Sequence, residues 1–481
     1  MHNKTLRSFF LFVAAALLLA LVLPVFAQDA VEPAVSVSDQ VVLDGTVTID
    51  SASYAEPGFV VIHIDNGEGA PGPVIGYRQL SPGTNTNFTI PVDAAQATGT
   101  LFAMLHADTG EVGVYEFGTV EGADGPVADA AGNVVTPSFA VAVLNAKDQL
   151  IDGDTYTAAS VTVSEPGWLV IHSDNEGAPG PVLGQTQLEP GTTADVAVEL
   201  AAEGRTETLW PMLHVDTGEA GVYEFGTVEG ADGPVVLGDV VATAQVFTVP
   251  HLRVDPQVVT GGDGMAMGDM APSVTVKSAL LAEPGFVVIH QEQDGAPGPV
   301  AGVSDPLPAG LSENVVIELD PALVTPNLWP MLHVDTGEAG VYEFGTVEGA
   351  DGPVSVGDQV VTFGIAAAPS ISYDGVTRLS DTEILIDQVV IDAPGWVVIH
   401  IDENGGPGPV AGQAALLPGV NRNVVITVDP AVLTTEQVFP MLHYDTGAAG
   451  VYEFGTVEGA DGPVRVGDAV VTGPATPVVA E

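Results

Sequence analysis

Cysteine is absent from all 481 residues. That excludes disulfides, thiolate metal sites, iron–sulfur clusters, type-1 copper and thiol catalysis together. Positive charge is nearly as scarce: ten Lys and Arg face 63 Asp and Glu, a formal net charge of −53. A surface of that sign repels phosphate backbones and anionic lipid headgroups, so nucleic-acid partners and polybasic membrane docking are excluded. Charged residues make up only 15% against 46% hydrophobic, so the chain builds cores and is not an acidic disordered one. Beyond the N-terminus, no segment of helical length shows a 3.6-residue apolar period.

What is there begins with an apolar run, Phe9 to Leu23, placed after Lys4 and Arg7 and before Pro24-Val25-Phe26-Ala27. It is shorter than the ~20 residues a spanning helix usually needs. Residues 1–27 therefore read as a signal peptide cut after Ala27. The implied location is secreted or cell envelope, with no integral membrane span after cleavage. Gly473–Glu481 carries no hydrophobic tail, so no second anchor is expected.

Self-comparison then dominates. The phrase Gly-Val-Tyr-Glu-Phe-Gly-Thr-Val-Glu-Gly-Ala-Asp-Gly-Pro-Val occurs four times unchanged, from Gly113, Gly221, Gly340 and Gly450. Before each lies Met-Leu-His-x-Asp-Thr-Gly, with His106, His214, His333 and His443. Further upstream stands Pro-Gly-aromatic-aliphatic-Val-Ile-His, with His63, His172, His290 and His400. The repeats are placed at 34–137, 138–249, 250–365 and 366–473, the third holding a Met-rich insertion at 261–273.

Each copy reads as all-β. In the first, β-prone runs cover Val35–Leu43, Thr46–Ser53, Phe59–Ile64, Val74–Leu80, Asn87–Val92, Leu101–Ala107 and Val114–Val120. Asp-Gly, Glu-Pro-Gly, Ser-Pro-Gly and Asp-Thr-Gly turns separate them. Strands at that spacing predict four tandem immunoglobulin-like β-sandwich domains. The Phe59/Trp168/Phe286/Trp396 position is the expected central aromatic, and short linkers predict a semi-rigid rod.

The segments Gly58-Phe59-Val60-Val61-Ile62-His63, Gly72-Pro73-Val74-Ile75-Gly76 and Ala103-Met104-Leu105-His106-Ala107-Asp108-Thr109 carry a resemblance. The chain resembles a repeated secreted or cell-surface β-sandwich domain family of unknown function, found in archaeal and bacterial exported proteins. The resemblance spans nearly the whole mature chain, once per copy. It implies a surface protein and no particular activity. In related domains the stretch after His-x-Asp-Thr often resembles an Asp-x-Asn-x-Asn calcium loop; here Gly110 and Val112 follow Asp108 at those positions.

Strand alternation puts Phe59, Val61, His63 and Asp65 on one side, and Phe102, Met104, His106 and Asp108 likewise. Two imidazoles with a thioether and carboxylates have the chemistry for copper or zinc. The candidate metal residues are His63, His106 and Asp108; His172, His214 and Asp216; His290, His333 and Asp335; and His400, His443 and Asp445. Two strands lie between the histidine strands, however, so successive antiparallel connections predict opposite ends of the sandwich. On that count each histidine closes a core rim and bonds a carboxylate or turn amide. In the unchanged segment and the motif just before it, Asp108, Glu116, Glu121 and Asp124 offer hard oxygens for calcium, with Glu116 expected to face water from a strand. The insertion's Met265, Met267 and Met270 have a spacing copper(I) can use.

No Gly-x-Ser-x-Gly, His-Glu-x-x-His or phosphate loop occurs, which predicts a non-enzyme. The sequence describes an exported structural, adhesive or binding module of the cell surface or matrix, its acidic faces open to bridging by cations, whose partner is an unknown surface component. The alternative is an envelope metal-binding protein, using calcium at acidic turns or copper or zinc at His and Met.

Overall fold

The computed structural model describes residues 31–43, 45–259, 272–372, 376–473 and 476–480. The signal segment 1–27 and Met265, Met267 and Met270 of the insertion lie outside the described residues. The chain is all-β, 53% strand and 1% helix, in four repeated sandwich domains.

In repeat one the strands are β1 (Ala34–Ser36), β2 (Gln40–Leu43), β3 (Thr46–Tyr54), β4 (Gly58–Asp65), β5 (Pro71–Leu80), β6 (Gly83–Pro91) and β7 (Thr100–Ala107), joined by β8 (Ser138–Asn145) from the start of the second repeat. One sheet has the order β1-β3-β6; the other runs β5-β4-β7-β8, with β2 parallel to β8. Alternation decides what lies between them. Val47 and Ile49 of β3 and Phe88 and Ile90 of β6 meet Val60 and Ile62 of β4 and Leu101, Ala103 and Leu105 of β7. All are buried, and each large aliphatic or aromatic side chain contributes ~1.5–3 kcal/mol. Burial of this kind holds together a domain that has no disulfide.

The same pairing recurs with Thr155–Val163 against Gly191–Glu199, Ser273–Leu281 against Gly310–Glu318, and Glu383–Ile391 against Gly419–Val428. The facing sheets are built on Gly167–Asn175, Gly285–Gln293 and Gly395–Asp402.

Three expectations are corrected. Val35–Leu43 is two short strands, β1 and β2. Val114–Val120 is no strand but a run of turns, because Gly113, Gly118 and Gly122 adopt positive φ of 85°, 78° and 81° and break the extended path. Nor does a short linker join repeats one and two, as the expected semi-rigid rod requires. Strand β8 pairs with β7 through residues 138–140 and with Thr155–Val163 through Val143–Asn145. Its Val141 and Val143 enter the core of repeat one, while Ala142 and Leu144 enter that of repeat two. Repeat one also touches repeat four: the Arg78 guanidinium donates to the Pro418 carbonyl at 3.0 Å, and Leu417 joins the core cluster of repeat one.

Candidate functional site

The histidine strands are direct neighbours. β4 and β7 pair antiparallel with Phe59 opposite His106, Val61 opposite Met104 and His63 opposite Phe102. The strands between them in sequence do not intervene in space, because β5 flanks the far edge of β4 and β6 belongs to the other sheet. The predicted separation to opposite ends is therefore wrong. The two rings approach along the face that carries Val61 and Met104, to 6.0 Å between centres and 24° between planes. Repeats two to four repeat this at 5.6, 5.9 and 5.9 Å.

This face points away from the sandwich core. Val60, Ile62 and Leu105 face inward, whereas Phe59, Val61, His63, Met104 and His106 lie outside that cluster and are nonetheless buried. The unchanged segment covers them. Tyr115 meets Phe59 edge-on at 5.3 Å, and Phe117 meets His106 edge-on at 4.9 Å. Phe59, Trp168, Phe286 and Trp396 are thus not central aromatics between the sheets. Each packs on the tyrosine of its own roof at 5.3, 5.4, 5.4 or 5.6 Å.

Asp124 pins the roof. Fully buried, its carboxylate accepts the Thr109 N–H at 2.8 Å and the Glu116 N–H at 2.5 Å. Its own N–H donates to the Thr109 hydroxyl at 2.8 Å. Its carbonyl accepts from His106 Nδ1 at 2.7 Å. Asp232, Asp351 and Asp461 do the same for their repeats. A glycine sets the approach of the strands: a Cβ on Gly58, Gly167, Gly285 or Gly395 would lie 2.6, 2.4, 2.1 or 2.4 Å from the carbonyl oxygen of the second histidine.

The ring chemistry is the same eight times. His63, His172, His290 and His400 bond through Nδ1 to the carbonyls of Gly72, Gly180, Gly298 and Gly408 at 2.7–2.8 Å. The second histidines bond through Nδ1 to the aspartate carbonyls just described. The partners are thus backbone carbonyls, not the expected carboxylates or turn amides. A carbonyl only accepts, so Nδ1 carries the proton and Nε2 holds a bare lone pair. All eight Nε2 atoms are buried and without a hydrogen-bond partner. Burial lowers the pKa of His106, His172, His333 and His400, and brings His214 and His443 down to about 4. Those rings are neutral at pH 7.

The acidic candidates are engaged elsewhere. Asp108 accepts the Gly113 N–H at 2.9 Å and the Gln79 amide at 3.0 Å. Asp216, Asp335 and Asp445 accept from Gly221, Gly340 and Gly450. Glu116, expected to face water from a strand, instead accepts the Glu111 N–H at 2.8 Å within the turns; Glu121 is exposed. Among the described residues no three His, Asp or Glu side chains come together as a metal would require. What residue reasoning missed is the aspartate anchor. The constant 18-residue step from His106 to Asp124, kept in every copy, was its one signal.

A family model described as "Domain of unknown function (DUF7282)" matches residues 33–142, 142–248, 264–366 and 369–477. No curated protein matches. Among solved structures, a biofilm-associated protein BSP domain aligns at 11% identity over 88% of this chain and 94% of its own, with TM-score 0.14. A Salmonella alpha-2-macroglobulin mutant aligns at 10% identity over 89% of this chain and 30% of its own, with TM-score 0.15. SGBP-B of a Bacteroides ovatus mixed-linkage glucan utilization locus, in complex with a mixed-linkage heptasaccharide, aligns at 9% identity over 81% of this chain and 94% of its own, with TM-score 0.19. At such scores none of these likenesses bears on function.

Proposed function

We propose, from the premise that this chain belongs to the DUF7282 family four times over, that it is a non-catalytic, extracytoplasmic structural and binding module. The observation that carries this reading is the interlocking of the repeats. A strand shared between the cores of repeats one and two, a contact from repeat one to repeat four, and ion pairs from repeat three to repeats two and four tie the domains together. Four copies of one roofed face are then displayed together, and weak contacts add through effective concentration. A net charge of −53 keeps such a surface hydrated and open to bridging by external cations. The apolar N-terminal run supports export, and among the described residues no helix is long and apolar enough to cross a membrane.

Protease treatment of intact cells, with the cleaved fragments identified by mass spectrometry, tests the location. The expected result is loss of full-length protein without lysis, and a mature N-terminus at Gln28. Full protection in intact cells, with release of the protein among cytoplasmic markers, overturns the reading.

A further inference from the structure

Eight imidazoles, each tethered by Nδ1 to a carbonyl and left with a buried bare Nε2, need an explanation. Leaving a buried acceptor without a partner is destabilising, and here the arrangement recurs in every repeat. Tethering Nδ1 to a backbone carbonyl is the means by which proteins orient a metal-ligating histidine and fix its tautomer. Reach fits as well. Two imidazoles bound to one ion at ~2.0 Å through Nε2, with ring centres about 1.1 Å behind, have centres at most about 6.2 Å apart; the four pairs stand at 5.6–6.0 Å.

We infer that each repeat holds a copper(I) site made of both Nε2 atoms and a methionine thioether. The sets are His63, Met104 and His106; His172, Met212 and His214; His290, Met331 and His333; and His400, Met441 and His443. Each methionine stands two residues before the second histidine on the same strand face. Its partner in the ladder is the valine two residues before the first histidine. Those methionines are buried and outside the sandwich cores.

The donor set selects the ion. All three donors are neutral, imidazole accepts copper, and the thioether is soft, which together suit copper(I). Zinc favours four ligands in a tetrahedron, and copper(II) favours tetragonal nitrogen and oxygen donors. No carboxylate joins the set to offset a second positive charge, and burying an uncompensated charge under the roof is costly. A thioether also persists in an oxidising compartment where a thiolate does not. This inference does not depend on the structural role proposed above, since the site lies within each single repeat.

The test is anaerobic titration of the full chain with copper(I) against a chromophoric copper(I) chelator, with silver(I) as a redox-inert probe in thermal melts. Four equivalents are expected, with a rise in the unfolding midpoints. The variant carrying Met104→Leu, Met212→Leu, Met331→Leu and Met441→Leu keeps the packing volume. It is expected to melt normally without metal and to bind copper(I) at least tenfold more weakly. X-ray absorption of the loaded wild type is expected to show nitrogen and sulfur neighbours together, a readout that needs no variant. Three results overturn the site: fewer than one equivalent bound, affinity unchanged in the four-leucine variant, or binding abolished by Met265→Leu, Met267→Leu and Met270→Leu instead.

Discussion

At the scale of single residues, the aspartate under the roof matters more than any exposed acid. Asp232 is fully buried, and its carboxylate closes the turn segment through two backbone N–H groups. Asp232→Ala removes both acceptors and leaves those part-buried donors unpaired, so a loss of roughly 2–4 kcal/mol from repeat two is expected; denaturant unfolding of the full chain measures it. Because Asp124 and its counterparts are saturated by backbone donors, EDTA is expected to leave the unfolding midpoints unchanged in fluorescence melts. The histidines add a pH dependence. His214 and His443 are held at about 4, against an ordinary 6.5. Between those values the unfolded chain binds more protons than the folded one, so stability rises with pH across that window. For metal-free protein, melts from pH 7 to pH 4 should show the midpoint falling below pH 6.5 and still falling toward pH 4. The histidines and methionines were legible from strand alternation alone, whereas the role of Asp124 was not. Its four hydrogen bonds depend on a folded turn, and composition shows only another acid in an acidic segment.

At the scale of elements, the Pro-Gly that precedes each first histidine strand is a packing device. At Gly285 a methyl group would sit 2.1 Å from the His333 carbonyl oxygen, far inside van der Waals contact. Gly285→Ala is expected to cost about 1–3 kcal/mol through forced strand separation, and to loosen the imidazole pair of repeat three. Its histidine resonances in NMR should shift while those of repeats one, two and four stay in place. The strand periods that fixed the β class were plain in the sequence, since Val60, Ile62, Val47 and Ile49 alternate cleanly. The order of strands across a sheet was not. Counting connections assumes that consecutive strands are neighbours, but β5 and β6 lie in different sheets and leave β4 beside β7. The tyrosine and phenylalanine of the unchanged segment suggested a strand by propensity, and glycines at positive φ overrode it.

At the scale of the whole molecule, coupling between repeats sets what a mutation can do at a distance. Strand β8 gives alternate side chains to two cores, so repeats one and two are expected to unfold as one calorimetric transition. Leu144→Ala is expected to lower that shared transition by ~2–5 kcal/mol rather than split it. Nothing in the sequence marked this strand as shared, because a run such as Val141–Leu144 with apolar residues on both parities also fits an ordinary buried strand. The contact between repeats one and four rests on less: Leu417 against the first core, and polar bonds from Arg78 and Asn87 to backbone carbonyls. Against it stands the mutual repulsion of a chain with net charge −53. Screening decides how strongly that repulsion acts, since the Debye length falls from about 30 Å at 0.01 M salt to about 8 Å at 0.15 M. Leu417→Asp both removes the apolar anchor and adds a like charge. It is expected to separate repeat four from repeat one, raising the radius of gyration in small-angle scattering, and to do so more at 0.01 M than at 0.15 M salt. An unchanged radius at both salt concentrations would mean that the remaining junctions suffice to hold repeat four in place without Leu417.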